Sequence, residues 1–531
     1  MVSVAQPLDH EFESLLRRVD RNSEVCARLD RVVERRLQQG RLGSAIAWAR
    51  VSASFQSTNP GAEFRALRLE RVLDAIARSE LPSARPRSEL DTGRVLHVLS
   101  EAHLIGGHRS MALRWVRLDR SRTGSFVVTR PGLDDPSLHE AAAEAGGEVH
   151  VLGGSLLERA RVLRELAGDV DVVVCHTHND DTVPAMAFGG DYAGAPVVLV
   201  NHADHVFFLG VGNVSTVANL RWTGADFSER ARGFPPRSFR ELPIPVEEPK
   251  RSASRAEARR ALGIADDRVV ALTLARPKKF LPSPLHSGFI ELAEPALRDS
   301  GVLLLAVGPS LEEPAWAELA ARSGDSVRVE GLQADPRPYL DAADIYLDSV
   351  PFSSNTSMLE AAFRGVPILV SRQYQEFQRL HGSDGVLDGV VVTAPTAEAY
   401  REQLCRLAAD AELRAELGER TGDAVRSIHG EAAWIEAMER VYAHAHTARP
   451  VVERHSPPLE DRERTREYAA ALLGIESATP LLWSTLTATA EMDRRDRRAV
   501  SVRAALYRAW RRLRGGGDPI GPDGAKVFLP R

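Results

Sequence analysis

Cysteine is scarce in this chain of 531 residues. Cys26, Cys175 and Cys405 are odd in number, far apart and in no metal-like pair, which excludes a disulfide framework and a zinc ribbon and fits a reducing compartment. Long apolar runs are also missing. Met1 to Leu16 contains acidic residues and no apolar h-region, and no later run approaches the length that crosses a bilayer, so a cytoplasmic protein is expected. Nor is there a surplus of positive charge. A net charge of −5 argues against a general nucleic-acid binder, which needs a basic surface to displace counterions from phosphate. Lysine is rarer still: of 68 basic residues only four are lysine, namely Lys250, Lys278, Lys279 and Lys526. Such arginine-heavy usage points to high-GC coding and a bacterial source. Against it, a retained lysine hints that a compact ammonium is wanted.

What is present is an alternation of short apolar runs and amphipathic stretches. The length suggests two or three domains. Residues 1–91 read as helical, with apolar spacing at Leu15, Leu16, Val19 and at Phe64, Leu67, Leu69, Val72, Leu73 and Ile76. A break at Pro82 to Pro86 follows. Residues 92–246 then alternate strands (Val95–Leu99, Phe126–Val128, Val149–Leu152, Val170–Cys175, Pro196–Val200) with helices (Ala141–Ala145, Leu156–Leu166). After a proline-marked crossing at Leu242 to Val246, residues 247–446 repeat the pattern. Strands are expected at Val269–Leu274, Val302–Val307, Val327–Val329, Ile345–Leu347 and Ile368–Val370, with helices at Phe289–Leu297 and Trp316–Arg322. The expected fold class is α/β, with two Rossmann-like doubly wound domains facing a cleft. Helical N- and C-terminal extensions flank them, the second being a proline-containing linker and arginine-rich tail over 447–531.

The segment from Ala342 to Val370 is the most telling. It reads as strand, polar loop, short helix, glycine stop and strand, with Ser353 to Ser357 all small and polar and Gly365 and Pro367 ending the helix. Such a loop aims backbone amides outward at a helix N-terminus, where a phosphate is stabilised without any basic side chain. The alternative is purely structural: Ser357 and Glu360 have capping-box spacing, in which Glu360 only satisfies its own helix start.

With its Asp-x-x-Pro-Phe wording (Asp348 to Phe352), this segment resembles the donor-binding segment of GT-B glycosyltransferases, of the O-GlcNAc transferase type and of glycosyltransferase family 4. The resemblance covers about residues 94–446. It implies that Asn355, Thr356 and Ser357 sit at the diphosphate of a nucleotide sugar and Glu360 at its ribose. It also implies a diphosphate-contacting lysine after the first strand of the second domain, a position matched by Lys279, with Lys278 in reserve and Arg276 nearby.

Nine of the 16 histidines lie between His97 and His205, most of them just past strand ends, where doubly wound folds place ligands. In Glu101 to Ser110, Gly106 and Gly107 would let backbone approach a donor. The resemblance places a glycine and a histidine of this loop near the reacting centre, which makes His108 the first candidate for acid/base work, His103 the second, with His178 beside them. Asp180, His202, Asp204 and His205 would line the acceptor side. A rival class starts from His176-Thr177-His178-Asn179-Asp180-Asp181: His-x-His-x-Asp opens many metal-dependent hydrolase sites, with His202 or His205 completing the set. The rival leaves the 342–370 segment and the lysine pair unexplained.

Retaining enzymes of the glycogen-synthase type carry Glu-x7-Glu, and the place of the first glutamate is here Phe352. That departure leans toward an inverting displacement, with the leaving diphosphate held by Lys279 and helix amides and no divalent metal needed. The expected function is metal-independent transfer of a hexosyl or N-acetylhexosaminyl group from a nucleotide-diphosphate sugar, UDP favoured, to an unidentified acceptor. The alternatives are the hydrolase built on His176, His178, Asp180 and His202, and a sugar-nucleotide-binding protein without turnover. Within 491–514, nine arginines face three acids while Val502, Leu506, Trp510 and Leu513 form an apolar stripe. This reads as a helix packed on its parent, or as a weak membrane-surface or partner contact. A homo-oligomer stays open.

Overall fold

The computed structural model describes residues 5–84, 93–101, 107–132, 135–246, 253–282, 287–373, 387, 389–451, 459–473 and 481–513. These form two compact units: one chiefly Pro243–Ala437, the other Phe12–Leu220, Gly224–Leu242 and the described residues from Met438 onward. Each is built on one all-parallel sheet.

The larger unit holds strands β1 (Arg94–Leu99), β2 (Thr123–Val128), β3 (Val149–Val151), β4 (Val172–His176), β5 (Val197–Asn201), β6 (Thr216–Asn219) and β7 (Phe239–Glu241). Their order across the sheet is β3-β2-β1-β4-β5-β6-β7. Central strands such as β4 and β5 are buried along their whole length, which is why they read as unbroken valine-rich runs rather than alternating ones. Helices cover both faces, among them Gly107–Leu118, Pro136–Glu144 and Leu156–Leu166. The last is started by a genuine capping box of Ser155 and Glu158.

The two ends of the chain belong to this unit's core. N-terminal helices Ala5–Gln38, Leu42–Thr58 and Leu67–Glu80 bury Leu29, Trp48, Val51 and Leu73 in one cluster with Val173, Cys175 and Leu199 of the sheet. The tail helix Arg494–Leu513 adds Val500 and Ala504 to that cluster. Its Asp496 accepts a bidentate pair from Arg36 at 2.7 and 2.8 Å and a bond from Trp48 Nε1 at 3.3 Å, while Asp493 pairs with Arg41 at 2.6 Å. The buried face therefore runs Asp496, Val500, Ala504. Val502, at the head of the expected apolar stripe, is exposed. The side chains of Leu506, Trp510 and Leu513 lie outside the described residues.

The smaller unit repeats the topology with β8 (Val270–Leu274), β9 (Leu303–Val307), β10 (Val327–Gly331), β11 (Ile345–Leu347), β12 (Ile368–Ser371) and β13 (Val392–Ala394), ordered β10-β9-β8-β11-β12-β13. One apolar cluster fills each face, around Tyr346, Met358 and Phe363 on one side and Phe289, Trp316 and Tyr400 on the other. In both sheets the chain reverses its winding beside the first strand, between β1 and β4 and between β8 and β11. Ligands of doubly wound sheets bind outside the carboxyl ends of the strands at that switch point. The segments that matter are thus those following Leu99 and His176, and those following Leu274 and Leu347.

Candidate functional site

In the smaller unit the two switch-point segments meet. Pro277–Phe280 is a short 3-10 turn after β8, and it carries Lys279, whose Nζ donates to the carbonyl of Ser353 at 2.7 Å in the segment after β11. The Phe352 ring lies beneath the same ammonium, 5.0 Å from Nζ to its centroid. Residue 352, where retaining enzymes would show a glutamate, is therefore the aromatic seat of the lysine. Burial lowers the Lys279 pKa to about 8, against the raising pull of the Asp348 carboxylate, with Lys278 adding to the lowering. Lys278 and Arg276 are exposed beside it.

Asp348 is buried and organises the loop. Its Oδ1 accepts from the backbone amides of Ser349 at 2.9 Å and Ser354 at 3.0 Å and from Ser354 Oγ at 3.1 Å. Burial raises its pKa, and those hydrogen bonds and the nearby Lys279 ammonium oppose the rise. Tyr346 shares a 2.5 Å hydroxyl contact with Ser354 and donates to Leu274 O at 3.1 Å, tying the two switch-point strands together. The Val350–Pro351 peptide is cis.

Helix Asn355–Phe363 begins directly after this loop, with Ser354 as its N-cap and no side-chain cap bond. The expected capping box of Ser357 and Glu360 is not formed: Ser357 is already the third helical residue, and Glu360 lies beyond the first turn. The capping-box reading of Glu360 fails on that geometry. Asn355 and Ser357 are half-buried, Thr356 is exposed, and Ser353 Oγ donates to Asn355 Oδ1 at 2.9 Å. The first amides of this helix and the Lys279 ammonium make one cationic corner. Asp348 and Tyr346 are what sequence reasoning missed here. Asp348 stood in the quoted motif without a role, and its signal was an acid directly after an apolar strand.

The larger unit's switch point has a different chemistry. His97 on β1 and His176 at the end of β4 share one sheet face, because His97 pairs with Val174, two residues before His176. His97 Nδ1 and His176 Nε2 are 3.2 Å apart, and His176 Nδ1 and His202 Nε2 are 3.1 Å apart. Three imidazoles thus form one hydrogen-bonded chain. His108, in the first turn of helix Gly107–Leu118, stacks on His202 with centroids 4.2 Å apart and planes 15° apart, and meets His178 edge-on at 5.2 Å. His108 Nδ1 lies 3.1 Å from the carbonyl of His176. A carbonyl only accepts, so Nδ1 carries the proton and Nε2 keeps its lone pair.

Burial governs the ionisation of all these rings. It lowers the His97 pKa to about 3 and that of His108 to about 4, and drives His176 and His202 well below the ordinary histidine value, with neighbouring imidazoles pushing the same way. His178 is lowered too, by burial and then by Arg130. His176, expected at the rim, is fully buried beside Trp115, whose Nε1 donates to Tyr442 at 2.7 Å, and Tyr442 in turn donates to Asp119 at 3.0 Å.

This geometry does not assemble the metal centre of the rival reading. Both ring nitrogens of His176 are occupied by other imidazoles. Asp181 is the N-cap of helix Thr182–Ala187, accepting from Val183 N at 3.0 Å, Ser100 Oγ at 2.6 Å and Thr129 Oγ1 at 2.5 Å. Asp180 is held by Arg130 at 2.7 Å, and Arg130 also pairs with Glu101 at 3.1 Å. Among the described residues no three His, Cys, Asp or Glu side chains are grouped to hold a metal ion.

His202, Asp204 and His205 lie in the loop after β5, with His205 Nδ1 3.2 Å from Asp204 Oδ1. Gly107 opens its helix, and a Cβ there would meet nothing within 4 Å. His103 and Gly106 lie outside the described residues. Arg130, Trp115 and His97 were missed, since only the tertiary fold brings them against these histidines.

Residues 286–410 match the family described as Glycosyl transferases group 1. The chain is 33% identical over 140 residues to the lipopolysaccharide core biosynthesis glycosyltransferase LpsE of Rhizobium meliloti, a match covering 25% of this chain and 40% of that protein. Its fold is similar to the crystal structure of a glycosyltransferase from Rickettsia africae, at 12% identity and a TM-score of 0.50, covering 66% of this chain and 98% of that one. Anabaena Alr3699/HepE in complex with UDP aligns at 14% identity and a TM-score of 0.50, covering 66% of this chain and 99% of that one. Two doubly wound units of this topology are the GT-B fold.

Proposed function

We propose that the protein transfers a sugar from a nucleotide-diphosphate sugar, with a UDP-sugar as donor, to an acceptor hydroxyl. The observation that carries the proposal is the corner formed by Lys279, Ser353 and the start of helix Asn355–Phe363 at the switch point of the smaller unit. A cation and a helix N-terminus at that place suit a diphosphate in both charge and position. The match of residues 286–410 to the group 1 glycosyl transferases and the UDP held by the Anabaena neighbour support the same reading.

In this reading Lys279, with Arg276 and Lys278 at the margin, and the amides at Asn355 to Ser357 stabilise the diphosphate as the sugar–oxygen bond breaks. That supplies the charge a divalent metal would otherwise provide. Glu360 accepts from the ribose hydroxyls. His108 is the base: it is neutral at pH 7, its Nδ1 proton is anchored on the His176 carbonyl, and Nε2 takes the acceptor proton as the hydroxyl attacks the anomeric carbon. The aromatic ring at 352, where the glycogen-synthase type has a glutamate, favours direct displacement with inversion. His178, Asp180, His202, Asp204 and His205 are assigned to the acceptor.

Calorimetry of UDP and GDP against the purified protein in EDTA tests the donor site. Metal-independent UDP binding that is lost in Lys279→Ala and Glu360→Ala is expected. Binding of neither nucleotide, or binding only with added metal, would overturn the proposal.

A further inference from the structure

The loop after β5 has no secondary structure of its own to fix it, yet its backbone is held at four points. Arg232, fully buried, donates from one guanidinium nitrogen to Asn201 Oδ1 at 2.8 Å and from the other to the carbonyls of Ala203 and Val206, both at 2.5 Å. Tyr468, on the tail helix Leu459–Leu473, donates its hydroxyl to the carbonyl of His205 at 3.1 Å. Phe208 N donates to Phe64 O at 2.9 Å, joining the end of the loop to the N-terminal segment.

The two terminal segments also hold each other. The Tyr468 ring packs on Phe64 and Phe227 with centroids 5.5 and 4.9 Å apart, and Phe64 meets Phe227 edge-on at 5.0 Å. Thr465, one turn before Tyr468, donates to Ala62 O at 3.3 Å. Arg65 is locked by Glu70 at 2.6 and 2.9 Å and donates to the carbonyl of Arg232 at 3.2 Å. Neither segment 62–65 nor 465–468 belongs to the alternating strand–helix region. Both nonetheless end on the one loop that carries His202, Asp204 and His205.

We infer that Tyr468 is a positioning residue for this loop, and that the two ends of the chain set the placement of the acceptor-side histidines. Assigning the loop to the acceptor rests on the glycosyl-transfer reading; the brace itself does not. Polar atoms explain why the tail is anchored here: a hydroxyl that donates to a loop carbonyl fixes the neighbouring side chain through the backbone, and its loss frees that side chain without opening the core.

The test is histidine modification by diethylpyrocarbonate, read residue by residue by mass spectrometry in the full-length protein. Tyr468→Phe keeps the ring contacts and removes only the hydroxyl. In this variant the modification rate at His205 is expected to rise about fivefold, the equivalent of one hydrogen bond of about 1 kcal/mol. The rate at exposed His139 stays unchanged. Thr465→Val, which removes the hydroxyl contact to Ala62, should shift His205 in the same direction by less. Unchanged His205 reactivity in both variants, or an equal rise at the fully buried His97, would overturn the inference, the second outcome marking general loosening of the fold. Modification does not use the donor, so a wild-type protein that binds no UDP would sink the glycosyl-transfer reading and leave this result standing.

Discussion

The two switch points share a topology and differ in electrostatics. At the smaller unit's rim a half-buried lysine stays largely charged, seated on an aromatic ring and a backbone carbonyl beside a helix start. At the larger unit's switch point four imidazoles are stripped of charge by burial, and His176 and His202 further by their neighbouring rings. A doubly wound sheet thus offers a place for chemistry, and the side chains at the strand ends decide which chemistry. A rim with a fixed cation suits an anionic donor, while a rim of neutral rings suits proton transfer from an uncharged hydroxyl.

The sharpest way to break this comparison is to remove one rim and read the other. His108→Ala should lower the rate of UDP release from the bound UDP-sugar by about three orders of magnitude, in the range general-base removal produces, with UDP affinity unchanged. Equal loss of turnover and of affinity would show that the two rims do not divide the work as described. Lys279→Ala should weaken UDP binding by about 30- to 150-fold, the worth of a charge-assisted hydrogen bond of 2–3 kcal/mol. Calorimetry reads it directly, and undiminished affinity would remove the lysine from the donor site.

Acid acts on the imidazoles of the larger unit. Because the folded pKa values of His97 and His108, about 3 and about 4, lie below that of an unfolded histidine near 6.5, the unfolded state binds more protons as pH falls. Their stabilising contribution is therefore complete above pH about 6.5 and is lost progressively toward their folded values. For fully buried His97, on the order of 2 kcal/mol should be gone by pH 5, visible as a lower urea midpoint, and a His97→Phe variant should show a flatter acid limb. Alkali acts on the lysine rim. With the Lys279 pKa lowered to about 8, UDP affinity should fall about tenfold between pH 7 and pH 9 as the ammonium is lost, and Lys279→Arg should abolish the slope.

Sequence alone revealed the smaller unit's rim better than the larger one's. Its parts are local: Ile345–Leu347, the serine-rich loop and the following helix are contiguous, and Lys279 stands out because lysine is scarce. What stayed hidden was where the helix starts, since Ser354 and Ser357 both suit an N-cap and only the Asp348 contacts choose between them. Strands β6, β7 and β13 were not foreseen. They are three or four residues long, and Thr216–Asn219 and Phe239–Glu241 mix polar with apolar residues, so no run is long enough to show a period. For the larger unit the histidines could be placed at strand ends, but not their mutual contacts. The chain from His97 through His176 to His202 exists because three strands far apart in sequence align in register. The tail was legible as a helix packed on its parent, but over its described side chains the buried face follows Asp496, Val500 and Ala504, and Val502 of the expected stripe is exposed.

The lysine seat has a practical corollary. An amine whose pKa is lowered to about 8 is mostly charged at pH 7 but has a free lone pair on about half of the molecules at pH 8. With only four lysines in the chain, an acylating reagent of modest size used near pH 8 should mark Lys279 together with the chain's α-amine, whose ordinary pKa is similar, and mass spectrometry separates the two. A bound nucleotide would shield it by holding the nitrogen in its charged form. The residue would then serve as a built-in reporter of occupancy, able to screen nucleotides and sugars before any acceptor is known.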